Sequence, residues 1–295
     1  MSKLTRRHFL AGTSVLGAAA GLMFDPMANA QSSQPEIKKF FPNGIPKCKL
    51  GKTGIETTIL GMGTGGDPYN KMGEAAFVEI MHRGFEQGVR YIDTAQNYRT
   101  HVYVERALRG WKREDFYLLT KTPSRTEETV RSDIERYLSE LSTKYLDTVL
   151  LHCLLDGDWP TRFAGAWNAL LEEKKKGRVR SIGVSCHSLD AARACLNVPE
   201  LEVLLLRINS LGVRMDGEPE KTVTVLKEIH ERGIGVLGMK IFASGLCDTP
   251  EKRRQSLEFV TGLHCVDAMT IGFAEISHVD ETLGMLSEIF AKRSA

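Results

Sequence analysis

The chain has no real surplus of either charge. Its 39 Lys and Arg residues stand against 37 Asp and Glu, a formal net charge of +2. Even that excess belongs to residues 1–30, which hold Lys3, Arg6 and Arg7 but only one acid, Asp25. Nucleic-acid binding, which draws on Lys and Arg gathered opposite phosphates, therefore has no electrostatic footing. The six cysteines, Cys48, Cys153, Cys186, Cys195, Cys247 and Cys265, make no C-x-x-C and no zinc-type spacing. Cys153, Cys186 and Cys265 lie in or beside apolar runs, where cysteine acts as a small hydrophobe. Neither a structural metal nor a required disulfide is expected. There is no G-x-G-x-x-G opening a helix, because "GMGTGG" has the wrong spacing, which argues against an open doubly wound sheet. There is also no H-x-H after the first strand, which argues against a metal-dependent barrel hydrolase.

What is present begins with a leader. Arg6-Arg7 ahead of Phe9-Leu10, a Gly/Ala-rich apolar stretch and Ala28-Asn29-Ala30 read as a signal peptide over residues 1–30. The paired arginines point to the twin-arginine export machinery, and so to the periplasm. The stretch from Phe9 to Phe24 is shorter than the ~20 residues a bilayer span needs. Cleavage before Gln31 would leave no stable membrane span. Residues 31–44, polar with Pro and Gly, read as a flexible linker ahead of a single domain over residues 45–295.

In that domain one alternation repeats. Apolar runs occur at 57–65, 89–95, 116–121, 145–153, 179–185, 203–209, 234–240 and 266–273. Stretches of helical spacing lie between them; in one, Val130, Ile134, Leu138 and Leu141 recur on one face. Eight near-continuous apolar strands, each followed by a helix, predict an α/β fold, the (β/α)8 TIM barrel. In such a barrel the functional groups sit at the C-terminal strand ends. "YIDTAQNY" places Asp93 where strand 2 ends and Tyr98 on the loop beyond, while strands 3 and 4 end in Lys121 and His152.

Each of these has an ordinary structural reading, but their joint appearance at three successive strand ends favours chemistry. Hydride addition to a carbonyl builds negative charge on oxygen, and a proton must be delivered there. A phenol has a reference pKa of ~10, and a nearby ammonium lowers it. Lys121 is expected to do this for Tyr98, with Asp93 pairing with Lys121 and His152 orienting the substrate oxygen. A barrel that binds a nucleotide or a protein partner without turnover is the alternative.

"YIDTAQNY", "LLTK", "LLH" and "IGVS", in this order, resemble the aldo-keto reductases, and "CKLGKTGIETTILGMGTGG" is similar to that family's N-terminal signature. The resemblance covers residues from about 45 to 292. It implies an oxidoreductase acting on a small-molecule carbonyl, with Asp93, Tyr98, Lys121 and His152 as its catalytic tetrad. It also implies NADP(H) lying across the strand ends, with NAD(H) left open. Cofactor contacts carried over from the resemblance are Gly63 and Thr64 after strand 1, beside Asp93, and Ser185 at the carboxamide. Cys186 stands where the family has an asparagine, Leu205 where it has a glutamine, and Met239 where it has a stacking aromatic. Lys240, Ile241, Phe242 and Ser244 line up with the loop that covers the cofactor. After strand 8, Gly272, Phe273 and His278 fall at the 2′-phosphate positions, and Glu281 at the adenine-side acid.

Overall fold

The first apolar run splits between two structures. In the computed structural model, which describes residues 39–66, 69 and 71–294, Lys47–Lys49 (β1) and Glu56–Thr58 (β2) pair antiparallel. Only Leu60–Gly63 (β3) enters the main sheet. The hairpin tip presses Leu50 and Ile55 onto Tyr91, Tyr117, Val203 and Leu237, closing the barrel where its strands begin. This approach needs Gly51, whose φ is +44° and whose absent Cβ would lie 2.3 Å from the Gly233 carbonyl oxygen.

Seven further strands follow: Tyr91–Asp93 (β4), Tyr117–Thr122 (β5), Leu146–Leu154 (β6), Val179–Cys186 (β7), Val203–Arg207 (β8), Gly235–Met239 (β9) and Ala268–Gly272 (β10). With β3 they form a closed parallel barrel in the order β10-β3-β4-β5-β6-β7-β8-β9, the expected (β/α)8 architecture. The outer layer holds Glu74–Glu86 (α1), His101–Leu108 (α2), Glu127–Glu140 (α3), Trp159–Arg162 (α4), Ala164–Lys175 (α5), Leu189–Ala194 (α6), Pro219–Glu231 (α7), Pro250–Gly262 (α8) and Ile276–Ser294 (α9).

Local signals account for several of these elements. Helix α3 starts at Thr126, whose hydroxyl accepts the Thr129 N–H, with Glu127 and Glu128 in the first turn. Its inner face is Val130, Ile134 and Tyr137, while Leu138 is only partly buried. Helix α2, of 8 residues, is too short for a periodic pattern to stand out in the sequence.

One difference from the sequence reading concerns a boundary. The leader and residues 31–38 lie outside the described residues. Within residues 39–44, Phe40 and Phe41 rest partly buried on the core, and the Ser287 hydroxyl of α9 donates to the Phe40 carbonyl at 2.7 Å, while Lys39 and residues 42–44 are exposed. Among the described residues no helix is long and apolar enough to cross a membrane.

Candidate active site

Side chains alternate across a strand, and this decides what meets at the barrel mouth. Tyr91, Leu119, Leu150 and Leu205 face inward together. The residues two places further on, at the strand ends, therefore also face inward: Asp93, Lys121, His152 and Arg207.

Lys121 lies deepest, at 1% exposure, and its ammonium donates to Asp93 Oδ1 and to the Thr94 carbonyl at 2.9 Å. Both side chains of the pair are almost wholly shielded from solvent. Removing one partner from such a pair costs about 3–5 kcal/mol, because the other charge is left buried and alone.

Tyr98 ends a short 3-10 turn, Gln96–Tyr98, that Tyr137 anchors by donating to Gln96 Oε1. Arg99 then takes φ of 59°, and the Thr100 hydroxyl ties the loop to Thr64 at 2.9 Å and Thr94 at 3.0 Å. Lys121 Nζ stands 4.9 Å from the centre of the Tyr98 ring. The His152 ring meets the Tyr98 ring edge-on, with centroids 5.8 Å apart. The four side chains named from the sequence are thus brought together. Gly65 makes this possible: a Cβ there would lie 2.5 Å from Tyr98 Cζ.

The electrostatics correct one expectation. Burial raises the Tyr98 phenol above its usual range, and Lys121 pulls it down without overcoming that effect. Burial opposes the charge on Lys121, but Asp93 and Tyr98 more than offset it, so the ammonium is held above its ordinary value. His152 is pushed down to about 3, first by burial and then by Lys121, His187 and Arg125, so its ring is neutral at pH 7. Its Nδ1 is buried with no hydrogen-bond partner among the described residues.

The cofactor positions divide. Ser185 faces inward, and its hydroxyl accepts the Cys153 N–H at 2.8 Å. Met239 joins the inner cluster just below the mouth. Lys240 has φ of 58° and no carboxylate within ion-pair distance among the described residues. Ser244, Gly272 and His278 are exposed and Phe242 half-buried. Gly63 lies inside against Thr270, where a Cβ would come within 2.8 Å of the Thr270 hydroxyl.

Three of the named side chains turn away from the mouth. Cys186 follows inward-facing Ser185, so it turns outward into the helix-facing core beside Cys195. Ile241 and Phe273 are also buried in that outer core. The Thr64 hydroxyl is engaged by Thr100, leaving its backbone the accessible part. Glu281 pairs with Arg253 at 2.8 Å.

Several neighbours of the site were not apparent from the sequence. Cys153, expected to be a buried hydrophobe, is exposed, because β6 breaks register between Leu151 and Leu154 and Cys153 takes φ of 60°. Arg207, paired with Asp216, follows from the same two-residue step that places His152. Arg125 and Gly65 carry no sequence signal of their own. All six cysteines are free thiols, and among the described residues no three His, Cys, Asp or Glu side chains are grouped to hold a metal.

The chain is similar to several known proteins. The chain is 23% identical over 285 residues to L-galactose dehydrogenase of Arabidopsis thaliana, covering 81% of this chain and 88% of that protein. A segment of 113 residues is 31% identical to the methylglyoxal reductase DkgA of Salmonella typhimurium, and a segment of 111 residues is 35% identical to an oxidoreductase of Schizosaccharomyces pombe, C28F2.05. Each segment spans 39% of the relative's length. Among solved structures, the aldo-keto reductase AKR11C1 of Bacillus halodurans, in its holo form, superposes with a TM-score of 0.71 at 20% identity, covering 82% of this chain and 91% of that one. An aldo-keto reductase complexed with NADPH gives 0.66 at 17% identity, covering 82% and 83%. These likenesses establish the fold. The aldo/keto reductase family model matches residues 58–283, most of the chain, and the protein belongs to that family.

Proposed function

We propose that the protein reduces the carbonyl of a small molecule with NADP(H), Tyr98 delivering the proton. The observation that carries this reading is the convergence of the Tyr98 phenol, the Lys121–Asp93 pair and the neutral His152 ring at one barrel mouth. The reductase and dehydrogenase names of the relatives support it, as does the NADPH of the solved neighbour.

The residues present fit a dinucleotide. Lys240 has no carboxylate within ion-pair distance among the described residues, so its ammonium is the kind of charge a pyrophosphate requires. Ser185 accepts one hydrogen bond and keeps its own proton to donate to a carboxamide. Met239 offers an apolar surface at the inner end of the mouth. When bound, the dinucleotide supplies the hydride.

The protein's own groups manage the proton. Because burial raises its pKa, Tyr98 is protonated at neutral pH and is set to donate to an oxygen that is becoming an alkoxide. The Lys121 charge favours the phenolate left behind, and Asp93 keeps that ammonium charged and fixed. The neutral His152 ring can donate one N–H to the same oxygen without adding a second cation.

Replacing Tyr98 by Phe tests the assignment. Carbonyl reduction should fall by about 10²–10⁴-fold while NADPH still binds, since proton transfer by a placed side chain contributes that much. If the wild type reduces no aldehyde or quinone yet binds the dinucleotide, the alternative of a binding barrel without turnover replaces this reading.

We further propose, from the leader sequence, that the protein is exported by the twin-arginine route. The barrel would fold and take up its dinucleotide before export.

A further inference from the structure

Lys121 is matched by Asp93 and Arg207 by Asp216. Arg125, on the loop after β5, has no carboxylate within ion-pair distance among the described residues. Its Nη1 donates to the Pro123 and Ser124 carbonyls at 2.9 and 3.1 Å, and its Nη2 donates to the carbonyl of His152 itself. Those three bonds leave the Nε–H and one Nη2–H without acceptors. The guanidinium also lies 4.9 Å from the centre of the Phe163 ring, which holds the group at the end of β6.

We propose that the substrate is a carbonyl compound bearing a carboxylate, and that Arg125 binds that carboxylate. The proposal rests on the reductase reading of the same site. Arg125 is bonded to the backbone of the residue whose ring faces Tyr98, so a ligand held by its free N–H groups lies beside the Tyr98–His152 pair. The neighbouring residue, Cys153, is exposed, so the approach from solvent is open. The planar guanidinium suits a carboxylate, which can accept from both free donors at once.

Electrostatics supports the assignment. A half-buried cation without a counter-ion is costly, and burial lowers the Arg125 pKa with no carboxylate raising it. Arg125 is one of the cations that depress the His152 pKa, so the guanidinium lies within electrostatic range of that ring. Lys240, another cation with no carboxylate within ion-pair distance among the described residues, directly follows β9 on the side given to the dinucleotide.

The test uses the full chain as wild type, Arg125→Gln and Arg125→Lys. Turnover with NADPH is compared for 3- and 4-carboxybenzaldehyde against 4-methylbenzaldehyde, and benzoate binding is measured by calorimetry. Charged hydrogen bonds of this kind give on the order of ten-fold or more per site. The wild type should therefore prefer a carboxylated aldehyde by that factor in kcat/KM. Arg125→Gln should remove the preference and weaken benzoate by a similar factor, with Arg125→Lys recovering part of both. An unchanged preference and benzoate affinity in Arg125→Gln would overturn the proposal. So would an equal loss on charged and neutral aldehydes accompanied by a lower Tm, the signature of a loop anchor. If Arg125→Gln does not fold, Arg125→Lys decides: full retention of the wild-type preference refutes binding by the planar fork. If no aldehyde is reduced but benzoate binding still depends on Arg125, the anion site stands and the reductase reading falls.

Discussion

Replacing Gly65 by Ala should disable the site without touching any proton-handling group. The added Cβ would lie 2.5, 2.6 and 2.8 Å from Cζ, Cε2 and Cε1 of Tyr98. Carbon atoms settle at about 3.5–4.0 Å, so the ring has to retreat by about 1 Å. Retreat displaces the phenol from its position relative to Lys121 and His152, because Gly65 lies against the ring itself. A displacement of that size costs about 10²-fold in rate. Because the Gln96–Tyr98 turn belongs to a loop, its movement relieves part of the overlap, so the stability loss should fall at or below the low end of the roughly 1–3 kcal/mol typical of overpacking. The assay is kcat/KM for a good aldehyde, together with NADPH affinity and Tm. The expected result is a loss of about 100-fold in kcat/KM with NADPH affinity retained. A folded Gly65→Ala protein within about three-fold of wild-type kcat/KM would refute the argument that this contact positions the phenol.

Two other outcomes follow from the site and the leader. His152 has a folded pKa of about 3 against an ordinary 6.5, so its contribution to stability is complete above pH 6.5 and is lost as pH falls towards 3. At pH 4.5 this loss should reach about 2–3 kcal/mol; denaturant melts of wild type and His152→Gln at pH 7 and 4.5 should differ by that amount, and equal pH sensitivity would show that the ring is not held neutral. For the exported protein, purification under mild conditions should recover bound dinucleotide by its absorbance and fluorescence. A dinucleotide-free preparation would count against loading before export.

Much of the architecture was legible because it is written in short-range periodicity. Apolar runs in alternation with helical stretches predict the barrel without knowledge of any long-range contact, as strands covered on both faces must be apolar throughout. The positions of Asp93, Lys121 and His152 follow for the same reason, each one period-2 step beyond an inward-facing Tyr91, Leu119 or Leu150. The same step, applied with care, would have turned Cys186 outward and Arg207 inward.

Other features depended on distances across the barrel. Strand β2 hides in a run that looks continuous with β3, because only Ile59 separates Glu56–Thr58 from Leu60–Gly63. Cys153 is exposed only because β6 bulges, and a bulge shifts the alternation without altering the composition. The raised Tyr98 pKa is a balance between burial and the Lys121 charge, and the sequence names the lysine but not the degree of burial. Gly65 against Tyr98, and Arg125 against the His152 carbonyl, join residues 33 and 27 positions apart. Sequence alone therefore determined the fold class and the chemical types gathered at the strand ends, through repeats that each segment carries by itself. Closure of the barrel decided which groups touch, which charges remain unmatched and which thiol meets solvent, because contact and desolvation are properties of the packed whole.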